Sequence, residues 1–416
     1  MVTETELERI TDAQRTLESD AVSFLQDLVR IPSYNPPGDY ADVAERLVAE
    51  FEGHGWETET VWAPPEVLED LGLDPDYPRP NVLGYVTRGD GPTVALNAHL
   101  DTVPVDEGAW TRDPFGGEID EGCVWGRGAR DSKGRIASYT MAGRVLEAAD
   151  LLPDDATVVV AVTADEETGG RAGAGYVTDS GALRPDYAIV EGSVDVVWRA
   201  ASAIIRPDVV VTGKASHAGT SPEAGANAVV AAARIVDALE NHAVNLTRQR
   251  SAIPGVGSPT CVPAVIEGGV KTNVVPSSCR VSVDMRVPPD MDAAAAERRF
   301  REVVDGVTLP AGTEATIEIT QRNAPYEFAE DDVQVRAVKA NAEAIRGEEV
   351  PVVGTRGSTD ARYFAPHGAK CVNYGPGDDR SNAHGADEHV RIDQVSDVGA
   401  VVAASVVDIV RDAEED

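Results

Sequence analysis

Two runs of the chain, Thr93 to Ala98 and Thr157 to Ala164, are largely apolar and strand-like, and each ends abruptly in polar residues. His99-Leu100-Asp101 follows the first and Asp165-Glu166-Glu167 the second. Apolar runs of this length read as strands buried on both faces, as in sheets covered by helices. An open α/β sheet places its ligand site at such polar carboxyl ends of strands. A histidine and several carboxylates collected there form a ligand set for a hard-to-borderline metal ion such as zinc, manganese or cobalt. The adjacent acids Glu166 and Glu167 can supply a metal ligand and a proton-transfer base, so metal-assisted hydrolysis is the expected chemistry.

The pattern along the chain predicts helices from about Ser19 to Val29 and Ala41 to His54, then a long proline-bearing loop from Trp62 to Arg79. Val82 to Thr87 and Thr93 to Ala98 read as adjacent strands joined by the Gly89-Asp90-Gly91 turn. Helix is expected again from Lys133 to Ala149 and Ala172 to Ser180, with a strand at Tyr187 to Val190. After Glu191 the order becomes β-α-β-β-α-β: strands at Ile204 to Thr212, Thr260 to Glu267, Ser278 to Arg286 and Ala315 to Thr320, and helices at Ala224 to Asn241 and Met291 to Val304. That order describes a small α+β sandwich. Helices at Val333 to Arg346 and Val398 to Asp412 flank a polar, loop-rich stretch. The expected partition is a split α/β domain, 1–202 and 322–416, with a smaller domain inserted at 203–321. With 416 residues and 42% hydrophobic content, the chain has ample material for two cores.

Charge excludes some partners. Asp and Glu number 71 against 36 Lys and Arg, a formal net charge of -35. Such a surface repels nucleic acid and anionic membranes. With only five lysines, it reads as a solvated acidic surface adapted to high salt, where screening acts over a few ångströms. Stability is therefore expected to rise with salt in an unfolding titration, and a flat or falling curve would remove this reading. No run of 18 apolar residues suggests a membrane span. The acidic, helix-like start does not resemble a secretory signal. Cys123, Cys261, Cys279 and Cys371 form no close pair, which fits a reduced, cytoplasmic setting, although Cys261 and Cys279 could face each other across a hairpin.

Seven histidines can be sorted. His99 ends a strand, with Asp101 two residues on and on the same side of an extended segment. His384 lies in Asn382-Ala383-His384-Gly385, and His217 in Gly213-Lys214-Ala215-Ser216-His217-Ala218-Gly219. Among the acids, Asp131 precedes a helix and could be an ordinary N-cap. Glu166, Glu167 and Glu191 follow apolar strands, where surface decoration by acids is not expected.

These residues together resemble the M20 metallopeptidase superfamily, in the acetylornithine deacetylase and succinyl-diaminopimelate desuccinylase group. His99-Leu100-Asp101-Thr102-Val103-Pro104 resembles its first metal motif, and the Asp131 and Glu166-Glu167 segments its second and third. The resemblance covers nearly the whole chain. It implies a mixed-sheet, zinc-peptidase-like catalytic domain with an inserted dimerisation and lid domain. It further implies two divalent ions, Zn2+ foremost with Co2+ or Mn2+ as alternatives. Asp131 would bridge them, His99 and Glu191 completing one ion and Glu167 and His384 the other. Asp101 would orient His99, and Glu166 would be the general base and acid. His217 would stabilise the tetrahedral oxyanion, reaching across a homodimer. Asn273, Arg286, Gly357 and Ser358 match substrate-binding positions, although Arg286 in so acidic a chain could instead be held in a structural salt bridge. The chain departs from many relatives at Ser132, where methionine is common, and at Gly192, where proline follows the acid.

The resemblance implies hydrolysis of the amide bond of a small N-acyl amino acid. A carboxypeptidase or dipeptidase acting on a short peptide is the alternative, and a non-catalytic binding protein on the same fold a remote one.

Overall fold

The computed structural model of the chain describes residues 1–378 and 380–415. It divides into two compact units, one of Met1–Arg199, Phe328–Val352 and Thr359–Asp416, the other of Ala200–Glu327 and Val353–Ser358. The second unit is thus wider than the expected 203–321 and gains a separate short segment. Backbone bonds explain the gain: Gly354 N–H donates to Pro254 O at 2.7 Å and Ser202 N–H to Thr355 O at 3.1 Å.

In chain order the first unit opens with α1 (Glu4–Arg30) and α2 (Ala41–Gly53), followed by β1 (Glu57–Trp62), β2 (Pro80–Thr87), β3 (Thr93–His99), α3 (Gly134–Ala148), β4 (Thr157–Thr163), β5 (Tyr187–Val190) and the first three residues of β6 (Val197–Ala201). The second unit carries β7 (Ala203–Thr212), α4 (Ala228–Leu246), β8 (Thr260–Gly268), β9 (Ser278–Val287), α5 (Ala293–Asp305) and β10 (Glu314–Asn323). The chain ends with α6 (Val333–Arg346), β11 (Lys370–Asn373) and α7 (Ile392–Glu415).

Helix α1 starts well before the expected Ser19. A reciprocal cap fixes that start, with Glu6 N–H on the Thr3 hydroxyl and Thr3 N–H on the Glu6 carboxylate. Ile10, Leu17, Leu25 and Leu28 then line one buried stripe. Helix α3 is buried on nearly all sides, so small residues are needed there. A Cβ on Gly143 would come within 2.7 Å of Trp56 and Val86.

Seven strands of the main sheet run in the order β1-β2-β4-β3-β5-β11-β6. Strands β2 and β3 are therefore not the hairpin expected from the Gly89-Asp90-Gly91 turn, because β4 lies between them, antiparallel to β2 and parallel to β3. Every residue of β4 is buried. Burying so apolar a strand on both faces and both edges outweighs a local turn preference. The glycines of the turn serve a close approach instead: a Cβ on Gly89 would sit 2.4 Å from the Asp155 backbone. Strands β3, β4, β5 and β11 are mutually parallel, so four carboxyl ends open on one side.

The second unit is a four-stranded antiparallel sheet, β8-β9-β7-β10, with α4 and α5 on one face. Alternation in β9 puts Cys279, Val281, Val283, Met285 and Val287 on the buried side, with Ile235, Leu239 and Phe300 of the helices in the same core. Cys261 pairs with Met285 and Cys279 with Gly268, so the two cysteines are not opposite each other; both are free thiols. Among the described residues no helix is long and apolar enough to cross a membrane.

Candidate metal centre

The parallel strand ends deliver the polar residues to one place. His99 closes β3, Glu191 directly follows β5, and Glu166 and Glu167 lie in the turn after β4. Ligand atoms of His99, Asp131 and Glu167 lie within 4.8 Å of one another. His99 Nε2 is 3.1 Å from Asp131 Oδ1, and His384 Nε2 is 3.1 Å from Glu167 Oε1 and 3.4 Å from Asp131 Oδ2. Asp131 is thus shared between two imidazoles. It is not a helix cap: α3 has no side-chain cap, and Asp131 Oδ1 instead accepts from Arg135 Nη1 at 2.7 Å. Glu191 accepts the Asp360 N–H on Oε1, while its buried Oε2 has no hydrogen-bond partner.

Asp101 ties this arrangement together. Its backbone O and its Oδ1 lie 2.9 Å and 3.3 Å from His99 Nδ1, leaving Nε2 to face the cluster. Its two carboxylate oxygens also accept the backbone N–H groups of Glu166 and Glu167, at 3.1 and 3.2 Å. Glu166 stays out of the cluster and pairs with Arg362 at 3.0 Å. Asp165 had no role legible in the sequence. In the structure it is buried at positive φ and accepts from Asn35, Tyr40 and Arg79 at 2.7–2.8 Å. It anchors the turn that presents Glu166 and Glu167.

The electrostatics describe a site short of positive charge. Burial pushes the carboxyls of Glu167 and Glu191 up, each to about 7. His384 is drawn up to about 10 by Asp131 and Glu167. Against its burial, Asp131 is held well below the usual carboxylate range by Arg135, His384 and His99. A crowd of carboxylates and imidazole nitrogens, one carboxylate oxygen among them buried without a partner, suits a divalent cation, which would compensate the charge and fill that valence.

The profile of the Peptidase family M20/M25/M40 matches residues 95–408, which span every residue of this cluster. The chain belongs to that family. It is a metal-dependent hydrolase of amide bonds. A succinyl-diaminopimelate desuccinylase of Cereibacter sphaeroides (strain KD131) is 29% identical over 401 residues, covering 92% of this chain and 97% of that relative. Among solved M20 structures, the metallo-carboxypeptidase Sso-CP2 of Sulfolobus solfataricus superposes with a TM-score of 0.75 at 18% identity, covering 94% of this chain and 99% of that one. YXEP of Bacillus subtilis, a dinuclear metal-binding M20 peptidase, gives 0.65 at 15% identity, covering 95% and 99%. Family and fold together point to divalent metals in this M20 chain.

The remaining candidates lie in the second unit, in two groups. His217 bridges to Val274, and Ala218 N–H donates to Asn273 O at 2.9 Å, so the His217 and Asn273 segments adjoin. His217 Nδ1 accepts the N–H groups of Gly219 and Thr220, both at 3.1 Å, which leaves the proton on the exposed Nε2. The second group is Arg286 with the 356–358 loop. Arg286 donates to Arg356 O at 3.4 Å and grips Asp284 bidentately at 2.6 and 3.0 Å. The structural salt bridge allowed for Arg286 is therefore present, and one guanidinium edge remains toward the loop. Gly357 N–H donates to Thr355 Oγ1 at 2.9 Å, which fixes the turn beside Ser358.

Glu388 was not singled out in the sequence, having no strand-end position. It is fully buried and accepts from the loop that carries Asp131.

Proposed function

We propose that this M20 enzyme removes the acyl group from small N-acyl amino acids by hydrolysing their amide bond. The observation that carries the reading is the shared Asp131 between His99 and His384, with Glu166 one residue from the ligand Glu167 and outside the cluster. His99, Asp131, Glu167, Glu191 and His384 would hold two divalent ions, zinc foremost and cobalt or manganese as alternatives. When bound, such ions polarise a carbonyl and acidify water.

The chain's own residues do the rest. Glu166 accepts the proton of the attacking water and passes it to the departing amine. Asp101, through the two backbone N–H groups it holds, keeps Glu166 and Glu167 at a fixed offset. The Nε2–H of His217 donates to the developing oxyanion. Asn273, Arg286, Gly357 and Ser358 hold the substrate's carboxylate and backbone groups. His217 acts from the partner of a homodimer. Edge strand β8 supports this: Val262, Val265 and Ile266 are at least half exposed on it, an apolar edge that a second copy can cover.

The acyl-amino-acid substrate is supported by the desuccinylase, matched over nearly its whole length. The similarity to a metallo-carboxypeptidase supports the second reading, a short peptide as substrate. A panel of N-acetyl and N-succinyl amino acids and dipeptides, run with zinc, cobalt or manganese in molar salt, tests both. Release of free amine from the acyl amino acids is expected. Preferential turnover of dipeptides would establish the second reading, and no turnover with any metal would leave a binding protein.

A further inference from the structure

We infer that Glu388 is a positioning residue, holding the loops of Asp131 and His384 in register so that the divalent-ion site reaches full affinity. The inference rests on the metal-centre reading above.

Residues 126 to 133 link the short strand Cys123–Trp125 to α3, and N–H groups of this loop converge on Glu388. Its Oε1 accepts from Arg130 N–H and Asp131 N–H, both at 3.0 Å. Its Oε2 accepts from Gly128 N–H at 3.1 Å and from Arg127 Nη1 at 2.5 Å. One carboxylate therefore serves three main-chain donors, of which the Gly128 N–H is buried and the Arg130 and Asp131 N–H groups are partly buried. The loop is built for this closeness. Gly128 has φ +83°, and a Cβ there would meet Thr102 Cγ2 at 2.7 Å.

The second loop is tied in by the same pair. Arg127 donates through Nη2 to His384 O at 3.3 Å, and Gly126 N–H donates to Glu388 O at 2.8 Å. Glu388 thus holds Asp131 by its own N–H and holds His384 through Arg127. Both imidazole contacts to Asp131 depend on where these two loops stand. A carboxylate can accept from all four donors. In a glutamine one of the two terminal atoms becomes a donor and faces two N–H groups whichever way the amide turns.

Zinc titrated calorimetrically into metal-free protein in molar KCl tests this. Glu388→Gln is expected to weaken zinc binding by about 10- to 100-fold, the usual loss when a residue supporting metal ligands is removed. Asp408→Asn is the control. Asp408 is equally buried and hydrogen-bonded to Asn341 at 2.9 Å, and its loss is expected to lower the melting temperature without changing zinc affinity. Should Glu388→Gln fail to fold, Arg127→Gln carries the test: it keeps the main-chain bonds, cuts the link to His384, and is also expected to weaken zinc binding. Wild-type affinity in the folded Glu388→Gln protein, or in Arg127→Gln where that protein does not fold, overturns the inference. Absence of zinc binding by the wild type instead overturns the metal centre itself.

Discussion

Glu166→Gln is expected to lower kcat by about 10²- to 10⁴-fold, the usual contribution of a positioned proton carrier. Metal content should stay at the wild-type level. The substitution keeps the side chain's length and an oxygen that can still accept from Arg362, now 3.0 Å from the carboxylate. The backbone N–H of residue 166 still donates to Asp101, so the turn and the neighbouring Glu167 keep their places. What is removed is the ability to take a proton and the negative charge that faces Arg362. Steady-state rates on the best substrate of the panel, with metal analysis of the same sample, check this. A metal-replete Glu166→Gln protein with near-wild-type turnover would falsify the assignment.

Stripping divalent metal with a chelator is expected to abolish turnover and to lower the melting temperature, and adding zinc, cobalt or manganese back should restore both. The stability change follows from linkage. An ion that binds only the folded chain stabilises it by about 2.7 kcal/mol at a hundredfold excess over Kd. The site gives that binding a physical basis, since Glu167 and Glu191 are buried carboxyls pushed up to about 7 and Glu191 Oε2 has no protein donor. Thermal melts with and without chelator, at one fixed concentration of monovalent salt, separate this effect from screening of the acidic surface. Unchanged turnover after verified metal removal would overturn the part given to the metal ions in the hydrolysis.

Much of this was legible in the sequence because burial writes itself into composition. An unbroken valine-rich run such as Thr157 to Thr163 must be interior, and polar residues just after it must stand at the sheet's end. That logic placed His99, Glu167 and Glu191 at the ends of three parallel strands. The order of those strands was not legible. The Gly89-Asp90-Gly91 turn satisfies a hairpin locally, whereas the position of β4 between β2 and β3 is decided by tertiary burial. The start of the chain read as helix-like, but its continuity with the helix expected from Ser19 was not legible, because the buried stripe is sparse and diluted by acids. Asp165 and Glu388 went unassigned for a related reason. Each acts by accepting hydrogen bonds from distant segments, and in a chain with 71 acids nothing marks such an acceptor. The pairing of Arg286 with Asp284 was open to reading, since the two alternate along one strand, but only the side-chain geometry shows the grip.

The parallel order of the sheet also governs when the site can exist during synthesis. Strand β11, beside β5, is made after the whole of 200–327, and His384 and Glu388 emerge later still. Residues 200–327 are contiguous and hold their own core, so that segment can condense while the first unit still lacks its last strand. His384 can meet Asp131 only after the whole of the intervening chain has been made. A nascent chain that has not reached residue 384 therefore offers an ion only part of the proposed ligand set.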